Sequence, residues 1–417
     1  MQVGRCALSH PLLARACSRE SKEVNRNLMA GAKSAQGHPT VKPRVAVVIP
    51  GGIGEEDYIP SLLDLLVCLS PHADLSLFSF SRQRIHLRIL DSGLKVILPP
   101  EWVGRNNPAR MVYLLGQVGR HSSGNRFDLI HGFWASLPGM TAVLAGRLLS
   151  TPSLVSVMGG ELVYLPDIEY GGTGSELQRL LRRWTINRAD SVTVLSHFHR
   201  RVLESGGYRP KQLSVLPLGV DLSLFPYRPK KIGSTVEIGF VGSVNRVKDP
   251  FTLVRALSII AQSVDCRLTI AGPDLFEGKA QAYASMLGVG ERITWLGKIG
   301  HEKVPALLQS LDILLLPSRY EGEGVVVMEA FASGTLVAGS KVGLLAEGPE
   351  EMTVEPGDAE GLARKILILL QKPELAEEGR LRNRKAAEAW GIERTVAEYF
   401  GLYKKIGTFQ EWPRLPG

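Results

Sequence analysis

The chain has 417 residues, 44% of them hydrophobic, and a formal net charge of +8. That length suggests two or three domains with sizeable cores, while the longest apolar runs, such as Ile313–Leu316, stay far below the ~18 residues of a membrane span. The four cysteines, Cys6, Cys17, Cys68 and Cys266, lack the spacing of a disulfide framework or a zinc site, which points to a reducing compartment, the cytoplasm.

Residues 1–43 hold seven Lys/Arg and two Asp/Glu, so +5 of the charge sits there and +3 remains for the rest. They show no sustained periodicity and no signal-peptide core. They read as a disordered basic arm, a transit peptide, or sequence upstream of an alternative start at Met29; Glu20 and Glu23 count against the transit peptide. The small remaining charge and the lack of any nucleic-acid module argue against nucleic acid as a partner class.

Residues 44–216 alternate strand-like and helical patterns. The strand "RVAVVI" leads into the glycine loop "PGGIG", then "YIPSLLDLLVCL" with apolar residues at helical spacing. "DLSLFSF", "LKVIL", "FDLIHGF", "PSLVSV", "SVTVL" and "LSVLPL" follow as strands. Strands alternating with helices imply crossover connections and a parallel sheet buried on both faces. A linker, 217–233, is rich in proline and basic residues, and the pattern then restarts over 234–385. There the strands are "VEIGFVG", "CRLTIAG", "RITWLG", "LDILLLP" and "TLVAGS". The class is α/β: two Rossmann-like domains facing a cleft, where ligands bind beyond the carboxyl ends of the strands. Residues 386–417 read as a long C-terminal helix crossing back to the first domain.

The most informative stretch is "PSRYEGEGVVVMEAFASGTLVA", residues 317–338. A helix starting near Gly324 leaves the amides of Gly324, Val325 and Val326 as free donors, a seat for phosphate. Glu329 is a lone carboxylate on an apolar helix and needs partners. The vicinal hydroxyls of a ribose would supply two; a neighbouring loop that it caps is the plainer alternative.

This stretch resembles the E-x7-E signature of the retaining family-4 glycosyltransferases, which have the GT-B fold. The resemblance spans roughly 44–405 and is strongest over 236–356. It implies that Glu329 binds the ribose of a nucleotide-sugar donor and that Glu321 lies against the sugar at the reacting carbon. Glu323 stands where the family usually has an aromatic or aliphatic residue. "FVGSVNRVKDPFTLVRAL" resembles the family's diphosphate-gripping segment after Gly242, with Lys248 as the lysine. Ser243 replaces the usual arginine, and Arg246 is its expected substitute. The loop holding Gly52 and Gly54 resembles the one that closes over the donor phosphates, although by itself it is only a strand–helix turn.

At the first domain's strand ends, Met158 takes the place of a histidine found in many relatives, followed by Gly159, Gly160 and Glu161. These, with His131, are expected near the acceptor or sugar. Glu161 orients a hydroxyl or caps the next segment; His131 is a satisfied structural histidine as readily as a catalytic one. His197 and His199 have no third metal-ligand partner nearby. No D-x-D triplet occurs, which argues against a metal-dependent GT-A enzyme, so no metal and no cofactor beyond the donor is expected. Arg179, Arg182 and Arg183 fall on about one helical face beside Trp184, and Arg82, Arg84 and Arg88 cluster in "SRQRIHLR". A solvated face is the plain reading; the resemblance adds peripheral contact with an anionic membrane, at the inner face of the plasma membrane. The expected partners are a nucleotide-sugar donor and a glycan or lipid-linked acceptor. The rival reading is a non-catalytic nucleotide-sugar-binding protein or partner subunit of the same fold.

Overall fold

The computed structural model describes residues 42–54, 58–82, 84–104, 107–172 and 174–409. The basic arm, but for its last two residues, lies outside them. From Pro43 onward the described residues form one compact unit built on two parallel sheets.

The first sheet uses β1 (Arg44–Ile49), β2 (Asp74–Ser79), β3 (Lys95–Ile97), β4 (Leu129–Phe133) and β5 (Ser153–Ser156). A small antiparallel hairpin, β6 (Tyr164–Leu165) and β7 (Tyr170–Gly171), stands apart from it. β8 (Ser191–Val194) and β9 (Leu213–Val215) complete the sheet, in the order β3-β2-β1-β4-β5-β8-β9. The second sheet uses β10 (Val236–Val241), β11 (Cys266–Ala271), β12 (Ile293–Gly297), β13 (Ile313–Leu316), β14 (Leu336–Ser340) and β15 (Thr353–Val354), in the order β12-β11-β10-β13-β14-β15. Every residue of β4 and of β13 is buried, as expected of strands covered by helices on both faces.

In each sheet the order reverses beside the first strand, between β1 and β4 and between β10 and β13. The loops leaving these strands therefore diverge and open a crevice. Those loops carry the glycine turn at 51–54, the segment 242–249 and the segment 317–324, so these three motifs fall at the switch points, while Met158–Glu161 follows the neighbouring strand β5.

The chain passes from one half to the other near Leu216–Val220 and returns near Trp390–Ile392. The two passes lie side by side: Val220 N donates to Trp390 O and Ile392 N donates to Val220 O, both at 2.9 Å. Gly219 adopts φ +82°, and a Cβ there would meet Thr395 Oγ1 at 2.6 Å, so both conformation and space require glycine.

The helical pattern read as one long helix is two, Pro373–Glu388 and Ile392–Ile406. Between them Gly391 turns extended to pair with Val220. Trp390 stacks on Phe331 with ring centroids 5.8 Å apart. The second helix buries Ile392, Val396, Tyr399, Phe400 and Tyr403 in the first half's core, against the helix Pro60–Leu69. This spacing is one stripe of a helix, and each such side chain contributes roughly 1.5–3 kcal/mol of burial.

Candidate active site

The segment after β10 builds its own geometry. The Asn245 side chain accepts from Lys248 N at 3.1 Å and caps a single turn, Arg246–Lys248. Asp249 then caps the helix Pro250–Ile260, accepting from Thr252 N at 3.2 Å, with Pro250 at its first position. These two caps in succession aim Lys248 and Arg246 out of the sheet edge. Arg319 N donates to Val247 O at 2.7 Å and ties the loop after β13 to this turn.

Lys248 and Glu321 meet there, Nζ to Oε1 at 2.5 Å, both largely buried; Ser318 Oγ donates to the same oxygen at 2.7 Å. Gly324 starts the helix Val325–Ser333 in the left-handed region, φ +86°, which glycine alone adopts freely. No side chain among the described residues caps this end, so the expected free amides of Val325 and Val326 lie beside the Lys248–Glu321 pair. Gly242 is also close: a Cβ there would sit 3.7 Å from Lys248 Cε. Lys248, Glu321, Gly242, Gly324, Val325 and Val326 therefore form one cluster.

Arg246 faces across the cleft. It pairs with Glu169 of the β6–β7 hairpin at 2.9 Å, and Arg319 pairs with Asp167 of the same hairpin at 2.8 Å. Sequence reasoning missed Asp167, Glu169 and Arg319, because acids in a surface hairpin carry no local sign of a distant partner. Farther along the helix, Glu329 is buried and accepts from His301 Nε2 at 2.7 Å. The hydroxyl partners envisaged for this carboxylate are thus matched by a histidine that no local pattern marked. From the first half, Asp64 on the helix Pro60–Leu69 receives the Arg88 guanidinium at 2.5 Å and lies within electrostatic reach of His301. Asp64 could have been found: it too is a lone charge on an apolar helix.

Glu323 is buried, and its Oε1 accepts from Leu218 N, at the crossing between halves, at 2.8 Å. Its Oε2 has no partner among the described residues. Burial pushes the carboxyl up to about 8, the Leu218 hydrogen bond opposing and the Glu321 charge adding.

In the first half the Gly52–Gly54 loop is held by its own neighbours: Ile59 N donates to Gly52 O at 3.0 Å, and Gly54 bridges to Ile85. His131, expected near acceptor or sugar, is a core residue instead. Its Nδ1 meets Tyr403 Oη and its Nε2 meets Ser156 Oγ, both at 2.8 Å, and burial pushes its pKa down to about 3. Both of its ring nitrogens are thus satisfied within the core. Glu161 clips its own loop: Ala135 N, Met158 N and Gly159 N donate to its carboxylate at 3.1, 3.0 and 2.8 Å. Of its two readings, capping fits these bonds. Met158 and Gly159 reach the second half: Tyr320 Oη donates to Gly159 O at 3.4 Å, and Met158 O lies 3.2 Å from where a Cβ on Gly322 would be. Gly160 packs under the Tyr170 ring. His199 is fully buried beside Gly322 and Tyr320; burial pushes it down to about 4, with the Gly159 backbone opposing.

The basic helical face also differs from expectation. On the helix Glu176–Arg188, Arg182 turns inward to donate to Gly172 O at 2.8 Å, while Leu177, Leu180 and Leu181 are exposed. Arg183 donates to Gly206 O at 3.2 Å. In "SRQRIHLR", Arg82 is paired with Glu101 and Arg88 with Asp64. Among the described residues no three His, Cys, Asp or Glu side chains gather as a metal site, and no helix is long and apolar enough to cross a membrane.

Residues 62–219 match the family described as glycosyl transferase 4-like domain, and residues 235–372 match the family described as glycosyl transferases group 1. The 2-deoxystreptamine glucosyltransferase of Streptomyces kanamyceticus is 28% identical over 292 residues, 66% of this chain and 72% of that protein. The MMP alpha-(1->4)-mannosyltransferase of Mycolicibacterium hassiacum is 29% identical over 220 residues, 51% of this chain and 53% of that protein, so the match spans about half its length. Among solved structures, Anabaena HepE in complex with UDP superposes with a TM-score of 0.72 at 17% identity, covering 87% of this chain and 100% of that one. Sucrose-phosphate synthase from Thermosynechococcus elongatus gives 0.70 at 20%, covering 87% and 99%. These likenesses carry the fold, two parallel-sheet α/β halves.

Proposed function

We propose that this chain, which belongs to the GT-B glycosyltransferases, is a retaining, metal-independent enzyme of family 4 that moves a hexose from a nucleoside diphosphate donor to a hydroxyl of a glycan or glycolipid. The observation that carries this reading is the Lys248–Glu321 contact, 2.5 Å long, beside an uncapped helix N-terminus at the switch point of the second sheet. A lysine, the Val325 and Val326 amides and the positive end of the helix dipole together neutralise a diphosphate without a divalent cation. When the diphosphate takes Lys248, Glu321 is released toward the sugar. Arg246 adds a second cation once it leaves Glu169. Glu329 takes the ribose diol.

In this reading the acceptor hydroxyl attacks from the face that the diphosphate leaves, and the departing phosphate oxygen takes its proton. No protein base is then obligatory, consistent with His131 and His199 being buried and held neutral. The glucosyl- and mannosyltransferase names of the relatives favour a hexose. The exposed ridge Leu177, Leu180 and Leu181, with Arg179 beside it, suits a protein working in the cytoplasm against an anionic membrane that presents a lipid-linked acceptor.

The test is incubation with UDP-, GDP- and ADP-hexoses and an acceptor panel, with and without EDTA, reading nucleoside diphosphate release and the anomeric configuration of the product by NMR. One donor should be consumed with retained configuration, unaffected by EDTA. Inverted product would overturn the retaining mechanism, and loss of activity in EDTA restored by Mn²⁺ would overturn metal independence. Binding without turnover for every donor and acceptor would favour a non-catalytic nucleotide-sugar protein.

A further inference from the structure

His301 opens a single helical turn, His301–Lys303, after β12 and ahead of the helix Val304–Ser310. Its Nε2 lies 2.7 Å from Glu329 Oε1, and both side chains are largely buried, 19% and 8% exposed. The Phe225 ring, from the crossing between halves, packs on the imidazole with centroids 6.0 Å apart. The charged groups facing the ring are Glu329 from its own half and Asp64 and Arg88 from the other. Asp221 in turn acts electrostatically on Asp64. A carboxylate free to turn on its side chain would meet a diol in many orientations; this one has an oxygen pinned.

We propose that His301 is a positioning residue for the donor, pinning Oε1 of Glu329 so that Oε2 is presented to the ribose hydroxyls. This rests on the reading of Glu329 as the ribose ligand and adds to it the group that orients the carboxylate. Binding then requires less ordering, because the rotamer is set before the nucleotide arrives. The inference also carries a pH signature. Burial favours the neutral ring, but the Glu329 hydrogen bond and charge, helped by Asp64, outweigh it and hold His301 above its ordinary value. A charged donor grips a carboxylate more strongly than a neutral one. Nucleotide affinity is therefore highest while His301 is protonated and declines as pH rises through its raised pKa.

The experiment is calorimetric titration of the full chain with UDP, GDP and ADP between pH 6 and 9, for the wild type and for His301→Ala, His301→Gln and Glu329→Ala, with a melting curve for each. For the nucleotide that binds, wild-type affinity should fall several-fold across that range. His301→Ala should bind about 10-fold more weakly at pH 6, the scale of a hydrogen bond to a charged group, with a smaller pH slope than the wild type. His301→Gln keeps an N–H donor without a titrating group, so it should recover most of the affinity and share the smaller pH slope of His301→Ala. Glu329→Ala weakening binding while both His301 variants match the wild type would overturn the proposal, and so would an unchanged pH slope in His301→Gln. If Glu329→Ala leaves affinity untouched, the ribose reading itself falls, a distinct result.

Discussion

Replacing Glu323 with glutamine should stabilise the protein at pH 7 to 8 and do so much less at pH 5. Glu323 is 3% exposed, and burial pushes its carboxyl from an ordinary 4.5 up to about 8. In the folded chain it is therefore protonated at neutral pH, whereas in the unfolded chain it is ionised. Folding takes up a proton between these two values, so stability falls as pH rises through the window. Each pH unit spent there withholds about 1.4 kcal/mol, and the span from 4.5 to 7 withholds about 3 kcal/mol. Glutamine keeps the oxygen that accepts from Leu218 N at 2.8 Å, and its amide stands where the carboxylic O–H was, with the same unpartnered surroundings. It has no proton to gain. At about 2–4 °C per kcal/mol for a large domain, the variant should melt roughly 6 °C or more above the wild type at pH 7, with the gap narrowing toward pH 5. Thermal melts at fixed ionic strength in steps from pH 5 to 9 measure this. Parallel curves, or a glutamine variant that melts lower at pH 8, would refute a neutral Glu323.

Lys248→Ala should lower turnover by roughly 10²-fold, the scale of a lost oxyanion donor; turnover near wild type in a donor-release assay would remove Lys248 from the chemistry. Glu169→Gln should free Arg246 and lower the donor KM about 2- to 3-fold, since an exposed pair is worth about 0–1 kcal/mol. An unchanged KM would show that the hairpin acid does not compete with donor. Leu180→Asp should reduce co-sedimentation with vesicles containing anionic lipid while leaving activity on a soluble acceptor intact; undiminished sedimentation would locate membrane contact elsewhere.

Both sheets were legible, but for the two-residue edge strand β15, because the other strands are short apolar runs closed by glycine, proline or a polar cluster, from "RVAVVI" to "TLVAGS". Glu329 was legible because one charge interrupts an apolar helix, and Lys248 because it follows a strand and a glycine turn. What escaped notice depends on pairs distant in sequence. His301 lies 28 residues from Glu329 and Glu169 lies 77 from Arg246, and neither separation has a period. Arg182 shows the limit of helical projection: its spacing matches Arg179 and Arg183, yet the guanidinium is drawn inward by a carbonyl of the preceding loop. The break between the last two helices was hidden because Gly391 sits in a pattern that continues with helical spacing on either side. Its extended conformation is set by pairing with Val220, 171 residues earlier.

The last helix imposes an order of assembly. His131 lies in a strand made early in synthesis, but the hydroxyl that satisfies its Nδ1 belongs to Tyr403, 272 positions downstream. Until that segment leaves the ribosome, the His131 imidazole lacks its Tyr403 partner and the core face that the last helix covers stays uncovered. The first half is thus the first to be translated and the last to close.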